Sequence, residues 1–212
     1  MLYLCHAAAL IVSLSCAVVF LALPLLAIER FGALNFDLGL LGAACSGVYV
    51  GTSLLSGRIS ERLSIRTQLS ASSLLLGTSF YLFLHAPTFV ALILLNVING
   101  IAMGLLWAPL EAVVSRLSKP GRVRANMGWY NLAWSAGMTV GFFLFARVET
   151  RAFQFGAALV ILTGLMLVFL RAPDARAAPV EIDCDGERAR IDGRRRLFLL
   201  ASYQSAKDEN RV

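Results

Sequence analysis

Glu111 is the carboxylate that lies well inside an apolar run of this sequence, between Leu110 and Ala112. An ionisable side chain within a bilayer is costly, and by default it indicates function. Glu111 would then bind a coupling proton or cation, or provide the counter-charge for a solute in a cavity. The alternative is a structural role near the cytoplasmic end, within reach of water or of Arg116, which follows about one and a half helical turns later. That short separation favours the structural role.

Two amides precede this carboxylate in the same apolar run, Asn96 and Asn99. Residues three apart lie on one face of a helix, so the two side chains have the same neighbours. They would bind a solute or a neighbouring helix, and hydrogen bonding between membrane helices is the commoner role.

Large aromatic side chains complete the group of candidates. Trp129 and Tyr130 begin an apolar run and are expected in an interfacial aromatic belt, whereas Trp107 and Trp134 lie deeper and are candidates for a cavity. The residues predicted to line a substrate cavity are Ser13, Asn96, Asn99, Trp107, Glu111 and Trp134.

The composition excludes a soluble domain. Of 212 residues, 58% are hydrophobic and 15% charged, with a mean hydropathy of +0.72, which exceeds what one soluble core could bury. The net charge of +6 comes largely from loop and tail arginines that would meet lipid headgroups, so no nucleic-acid partner is expected. Neither the cysteines nor the histidines are spaced as metal ligands, and no metal, cofactor or catalytic pair is predicted.

Long apolar runs predict an all-α, polytopic membrane protein with six transmembrane helices. A six-helix bundle is predicted over 1–172, a polar cytoplasmic linker over 173–196, and a truncated start of a seventh helix, or a tail, over 197–212. The six helices are predicted at residues 2–27, 38–57, 67–85, 89–114, 127–146 and 152–170.

Positive charge alternates between the connecting segments. Those after the second and fourth helices carry seven Lys and Arg residues, whereas those after the first, third and fifth carry three. The positive-inside bias therefore predicts a multi-pass protein of the plasma (inner) membrane with both termini in the cytoplasm.

The segment 57–66 carries the clearest motif. It resembles the loop between the second and third helices of major facilitator superfamily transporters, Gly-x-Leu-x-Asp-Arg-x-Gly-Arg-Lys/Arg. Gly57, Arg62 and Arg66 match that pattern, Glu61 stands in for its Asp, and Ser64 and Ile65 depart from it. The motif predicts a conformational latch in which Glu61 pairs with Arg62, Arg66 or a neighbouring helix end; the alternative is a positive-inside loop with incidental pairing.

Internal sequence similarity predicts two inverted repeats of three helices each. Residues 22–27 resemble 107–112, at an offset of 85, and the glycines of the second helix recur in the fifth at an offset of 90. Glycines four residues apart let helices approach closely, and the resemblance implies that the second and fifth helices face another bundle. The predicted packing pairs are Gly47/Gly51, Gly100/Gly104 and Gly137/Gly141.

The resemblance implies the N-terminal half of a secondary transporter that moves a small solute by alternating access, with or without a coupling proton or cation. Its partners would be the bilayer, the solute, and a second six-helix bundle from a missing half or a homodimer. The alternative is a non-transporting protein, either a truncated product or a six-helix bundle that binds a partner. An enzyme is not expected.

Overall fold

The computed structural model describes residues 1–169, apart from the side chain of Glu61, and these residues form six α-helices without β-strands. The prediction of an all-α fold is confirmed for this range. The predicted linker (173–196) and seventh-helix segment (197–212) lie outside the described residues. The helices are α1 (Leu2–Phe31), α2 (Asn35–Arg62), α3 (Ile65–Phe83), α4 (Phe89–Leu117), α5 (Val123–Val148) and α6 (Ala152–Leu167), with a 3-10 turn at Glu149–Arg151.

Helix boundaries follow from local capping chemistry. α1 ends at Gly32, whose φ of 64° is a left-handed conformation that a side chain would strain. α3 begins after Ser64, whose hydroxyl accepts the amide hydrogen of Thr67 (3.1 Å), and α4 begins after Thr88, which accepts that of Ala91 (3.2 Å). Each hydroxyl satisfies a backbone donor that has no partner within the helix.

The basic segment 57–66 is shorter as a loop than the sequence suggested. α2 continues through Arg62 and α3 begins at Ile65, so Leu63 and Ser64 alone separate the two helices. The segment contains no proline, and one glycine costs a helix only ~1 kcal/mol, so the helix of the apolar run continues. The arginines of the motif therefore lie on helix ends.

Four stretches are long and apolar enough to cross a membrane: Leu2–Phe31, Asn35–Ser60, Phe89–Leu117 and Val123–Leu167. The last contains both α5 and α6, and α3 is not among the four. Serines lower the hydropathy of α3, although Ser72 and Ser73 donate to carbonyls of their own helix at 2.7 and 2.8 Å. Such bonds satisfy a hydroxyl without water. Six crossings remain a prediction.

The helices pack in three principal pairs: α1 with α5, α2 with α4, and α3 with α6. α3 also packs on α4, and α1 packs on α6. These two contacts join the three pairs into one bundle. Its largest fully buried apolar side chains come mainly from α3 and α4, and they include Leu69, Leu76, Phe80, Phe83, Leu92, Leu106 and Leu110.

Glycines on α4 bring it close to α2. A Cβ added to Gly100 would lie 2.5 Å from the carbonyl oxygen of Cys45. At Gly104 it would lie 2.8 Å from Cβ of Thr52 and 2.9 Å from the carbonyl oxygen of Tyr49. Both glycines therefore permit a backbone approach that any other residue would obstruct.

α1 and α5 approach each other in the same way, with the glycines on α5. A Cβ at Gly141 would lie 2.5 Å from the carbonyl oxygen of Leu14 and 2.7 Å from Cβ of Ala17, and one at Gly137 would collide with Ser13. The glycine face of α5 is therefore occupied by α1. The expectation that it faces another bundle is wrong, because this close approach leaves no room on that face.

Gly47 and Gly51 of α2 differ from the other predicted packing glycines. Both are exposed, and nothing lies within 4 Å of a Cβ added to either one. They pack against no other helix among the described residues, because α2 contacts α4 through its opposite side, and the expectation that this face meets a second bundle stays a prediction.

Candidate functional site

A cavity of about 400 Å³ lies among α1, α2, α4 and α5. Its volume lies within the range of pockets that hold small organic ligands. Its lining combines aromatic, thioether and a few polar side chains: Cys16, Phe20, Tyr49, Met103, Trp107, Glu111, Tyr130, Asn131, Trp134 and Met138.

α4 contributes Met103, Trp107 and Glu111 to this lining. Residues four apart differ by only roughly 40° around a helix, so these three side chains form one stripe. The carboxylate lies at the end of the stripe nearest the C-terminus of α4, six residues before Leu117.

α5 contributes a stripe of the same spacing, Tyr130, Trp134 and Met138, and α1 contributes Cys16 and Phe20. The two tryptophans therefore lie on different helices of one cavity. Apart from Glu111 and Asn131, every lining side chain is aromatic or contains sulfur.

Glu111 and Arg116 lie in different cavities. Arg116 lines a smaller one of about 310 Å³ together with Ser56, Ser60 and Pro109. A separation of five residues places two side chains roughly 140° apart around a helix, which explains the divergence. The predicted pair with Arg116 is therefore wrong, whereas Glu111 is exposed, as a position within reach of water would be, and lines the aromatic cavity.

Tyr130 is 1% exposed, and its hydroxyl has no hydrogen-bond partner among the described residues. A buried hydroxyl without a partner is costly, and a bound water, ion or ligand would satisfy it. Trp129 is 61% exposed, as an interfacial residue would be. The expectation that Tyr130 belongs to the same belt is wrong, because the next residue along a helix points about 100° away.

Asn96 and Asn99 lie between α4 and α2 and do not line the cavity. Asn96 donates to the carbonyl oxygen of Leu41 at 2.8 Å, and Asn99 donates to Oδ1 of Asn96 at 3.2 Å. Both are buried, and they connect two helices as the alternative interpretation anticipated.

Ser13 is also absent from the lining. It is fully buried, donates to the carbonyl oxygen of Leu10 at 3.1 Å, and lies beside Gly137 at the α1–α5 contact. Three of the six predicted cavity residues thus line the cavity: Trp107, Glu111 and Trp134.

The residues that the sequence interpretation missed include Phe20, Tyr49, Met103, Tyr130 and Met138. Most were detectable from spacing alone, because they lie four residues from a predicted or another lining residue on the same helix. Tyr49 had no such signal: it reaches the cavity because α2 packs closely on α4.

The conformational-motif residues lie away from this cavity. Gly57 lines the smaller one, Arg62 ends α2, and Arg66 lies in the first turn of α3. The side chain of Glu61 is outside what the structure describes, so the latch stays a prediction. Within residues 1–169, no three His, Cys, Asp or Glu side chains group as metal ligands.

Comparison with known proteins gives one family. The profile described as Major Facilitator Superfamily matches residues 5–202. A search of curated proteins finds no significant match.

Proposed function

Since the chain belongs to the Major Facilitator Superfamily, we propose that it is a secondary transmembrane transporter of a small solute that forms the N-terminal six-helix half and works by alternating access. The observation that carries the proposal is the cavity among α1, α2, α4 and α5, which contains Glu111 between aromatic walls. A carboxylate in an apolar bundle is retained for a charged or proton-exchanging partner. The cavity gives a solute a place to bind within the bundle.

The pattern of helix packing supports an inverted three-plus-three repeat. If α1, α2 and α3 correspond to α4, α5 and α6, the α1–α5 contact corresponds to α4–α2, and α1–α6 to α4–α3. Both correspondences are present, and Pro24 within α1 matches Pro109 within α4 at the offset of 85 residues. Transporters of this architecture place their solute at the interface of such repeats.

Orientation follows from charge. The α2–α3 and α4–α5 connections, with the helix ends beside them, are the segments that we expect on the cytoplasmic side. Their basic residues include Arg58, Arg62, Arg66, Arg116 and Lys119. We place the protein in the plasma (inner) membrane as a multi-pass bundle with its N-terminus in the cytoplasm. The cavity then lies nearer the cytoplasmic side, because Glu111 is close to the end of α4.

Alternating access needs a second bundle against which this one rocks. The open α2 face with Gly47 and Gly51 is where we expect that bundle, supplied by a C-terminal half or by a second copy. The solute, a coupling proton or cation, and the bilayer are the other partners; catalysis is not proposed.

Uptake by reconstituted vesicles tests transport. Vesicles with the full chain are given a panel of radiolabelled probes, one each of an amine, a sugar, a carboxylate and an amino acid. We expect at least one to accumulate above empty vesicles, and to do so about tenfold less in Glu111→Gln, with Glu149→Gln as the matched control. Uptake of every probe equal to that of empty vesicles contradicts transport of these solute classes by this chain alone or as a homodimer.

The open α2 face also favours a second candidate, a non-transporting bundle that binds a membrane partner through this surface. In that case Gly47→Leu would abolish recovery of the partner after crosslinking, whereas Glu111→Gln would have no effect.

A further inference from the structure

The chemistry of the large cavity indicates a solute class, and this inference rests on the proposed function. Glu111 is the one carboxylate among the described lining residues of this cavity. The same lining contains no lysine, arginine or histidine. Arg116 lies in the other cavity and does not neutralise it. The site therefore has a negative charge that no cationic lining residue compensates, on a carboxylate that is exposed to the cavity.

The remaining surface is of a type that stabilises cations without a formal charge. Trp107, Trp134, Tyr130 and Phe20 present aromatic rings, and tryptophan gives the strongest attraction of a ring face for a cation. Met103 and Met138 add polarisable sulfur that adapts to an apolar body.

Tyr130 adds a specific polar group. Its side chain is 1% exposed and its hydroxyl has no partner in the described protein. A ligand N–H would donate to this oxygen, whereas an apolar group would leave it unsatisfied.

Size limits the ligand further. A volume of about 400 Å³ is that of roughly thirteen liquid waters, so it admits on the order of ten to fifteen non-hydrogen atoms. A sugar of that size would lose most of its hydrogen bonds against this lining, and an anion would meet Glu111.

We propose that the cavity binds an organic monocation, an amine or ammonium group attached to an aromatic-sized apolar body, with the cationic nitrogen at Glu111 and the body between Trp107 and Trp134. The hydroxyl of Tyr130 accepts an N–H of the protonated amine. Binding of this class does not require transport to occur.

The chain provides its own reporter, because two of its three tryptophans line the cavity and Trp129 does not. The full chain carrying Trp129→Phe is purified in detergent and titrated with benzyltrimethylammonium while tryptophan fluorescence is recorded. Benzylsulfonate, an anion of the same size, is the matched probe. We expect saturable quenching by the cation and at least tenfold weaker quenching by the anion, a difference of ~1.4 kcal/mol or more.

Two variants locate the effect. Glu111→Gln should weaken benzyltrimethylammonium binding at least tenfold, whereas Glu149→Gln, outside the cavity, should leave it within twofold. Tyr130→Phe should weaken benzylamine several-fold and benzyltrimethylammonium less than twofold, because only the former has an N–H to donate. Circular dichroism and gel filtration establish that each variant folds.

Equal quenching by cation and anion, or unchanged cation affinity in folded Glu111→Gln, overturns the inference. The outcomes are separable from those of the uptake experiment. Cation binding without uptake of any probe contradicts transport alone, whereas Glu111-dependent uptake of a sugar or carboxylate without cation binding contradicts the solute class alone.

Discussion

The close approach of α2 and α4 gives the sharpest prediction of stability. In Gly100→Ala the new Cβ would lie 2.5 Å from the carbonyl oxygen of Cys45, whereas 3.4 Å is an ordinary contact. α2 would have to retreat by about 0.5–0.9 Å, because 3.0 Å is the shortest approach that real Cβ atoms tolerate. Overpacking of this kind costs ~1–3 kcal/mol.

Two smaller contributions modify this value. The hydrogen bond from Asn96 to Leu41, 2.8 Å long and one turn from Gly100, would stretch, and such bonds between membrane helices contribute ~0.6 kcal/mol. Alanine in place of glycine stabilises the helix itself by ~1 kcal/mol. We therefore expect Gly100→Ala to lower the free energy of unfolding by about 1–2 kcal/mol.

Gly47→Ala on α2 is the matched control, because nothing lies within 4 Å of its added Cβ. It should raise the free energy of unfolding by up to ~1 kcal/mol, which separates the two variants by about 1–3 kcal/mol. Equilibrium unfolding by dodecyl sulfate in mixed micelles, followed by tryptophan fluorescence, measures both. Equal stability of the two variants would refute the α2–α4 contact described above.

Three further outcomes are expected from other contacts. Asn96→Ala should lower the free energy of unfolding by ~0.6 kcal/mol, because the bond to Leu41 is lost. The same variant should leave the affinity for benzyltrimethylammonium within twofold. A larger loss of affinity would place this amide in the binding site. Arg30→Gln should speed amide exchange at the end of α3 about two- to fivefold, since Arg30 donates to the carbonyl of Leu84 at 2.6 Å; unchanged exchange would mean that this bond is not formed in solution. Gly32→Ala should destabilise by ~1 kcal/mol in the same dodecyl sulfate titration, because its φ is 64°, and a neutral effect would contradict the left-handed turn.

Much of the fold could be predicted from sequence, because apolar runs and caps act locally. The fourth helix was predicted to begin at Phe89, and it does, since Thr88 is a local cap. The boundary near 57–66 was missed because charge marks the water interface, not the end of a helix. Arg62 is exposed to solvent while still helical.

The candidate site was less predictable, because it depends on which face each helix presents. Trp107 and Trp134 were identified by depth in their runs, and both line the cavity. Asn96 is a polar side chain at a similar depth, but it faces α2. Glu111 was paired with Arg116 because the two residues are close along the chain. Rotation around the helix axis decided these cases, and neighbours in three dimensions set that rotation.

Labelling of the cavity from both sides of the membrane tests the central claim most directly, because it needs no knowledge of the solute. Met138→Cys is introduced after Cys5, Cys16, Cys45 and Cys184 are replaced by alanine, and an impermeant maleimide is added to intact cells or to inverted vesicles. Alternating access predicts labelling from each side, with Trp129→Cys labelled from the cytoplasmic side alone. Labelling of Met138→Cys from one side only, or from neither, would contradict the account.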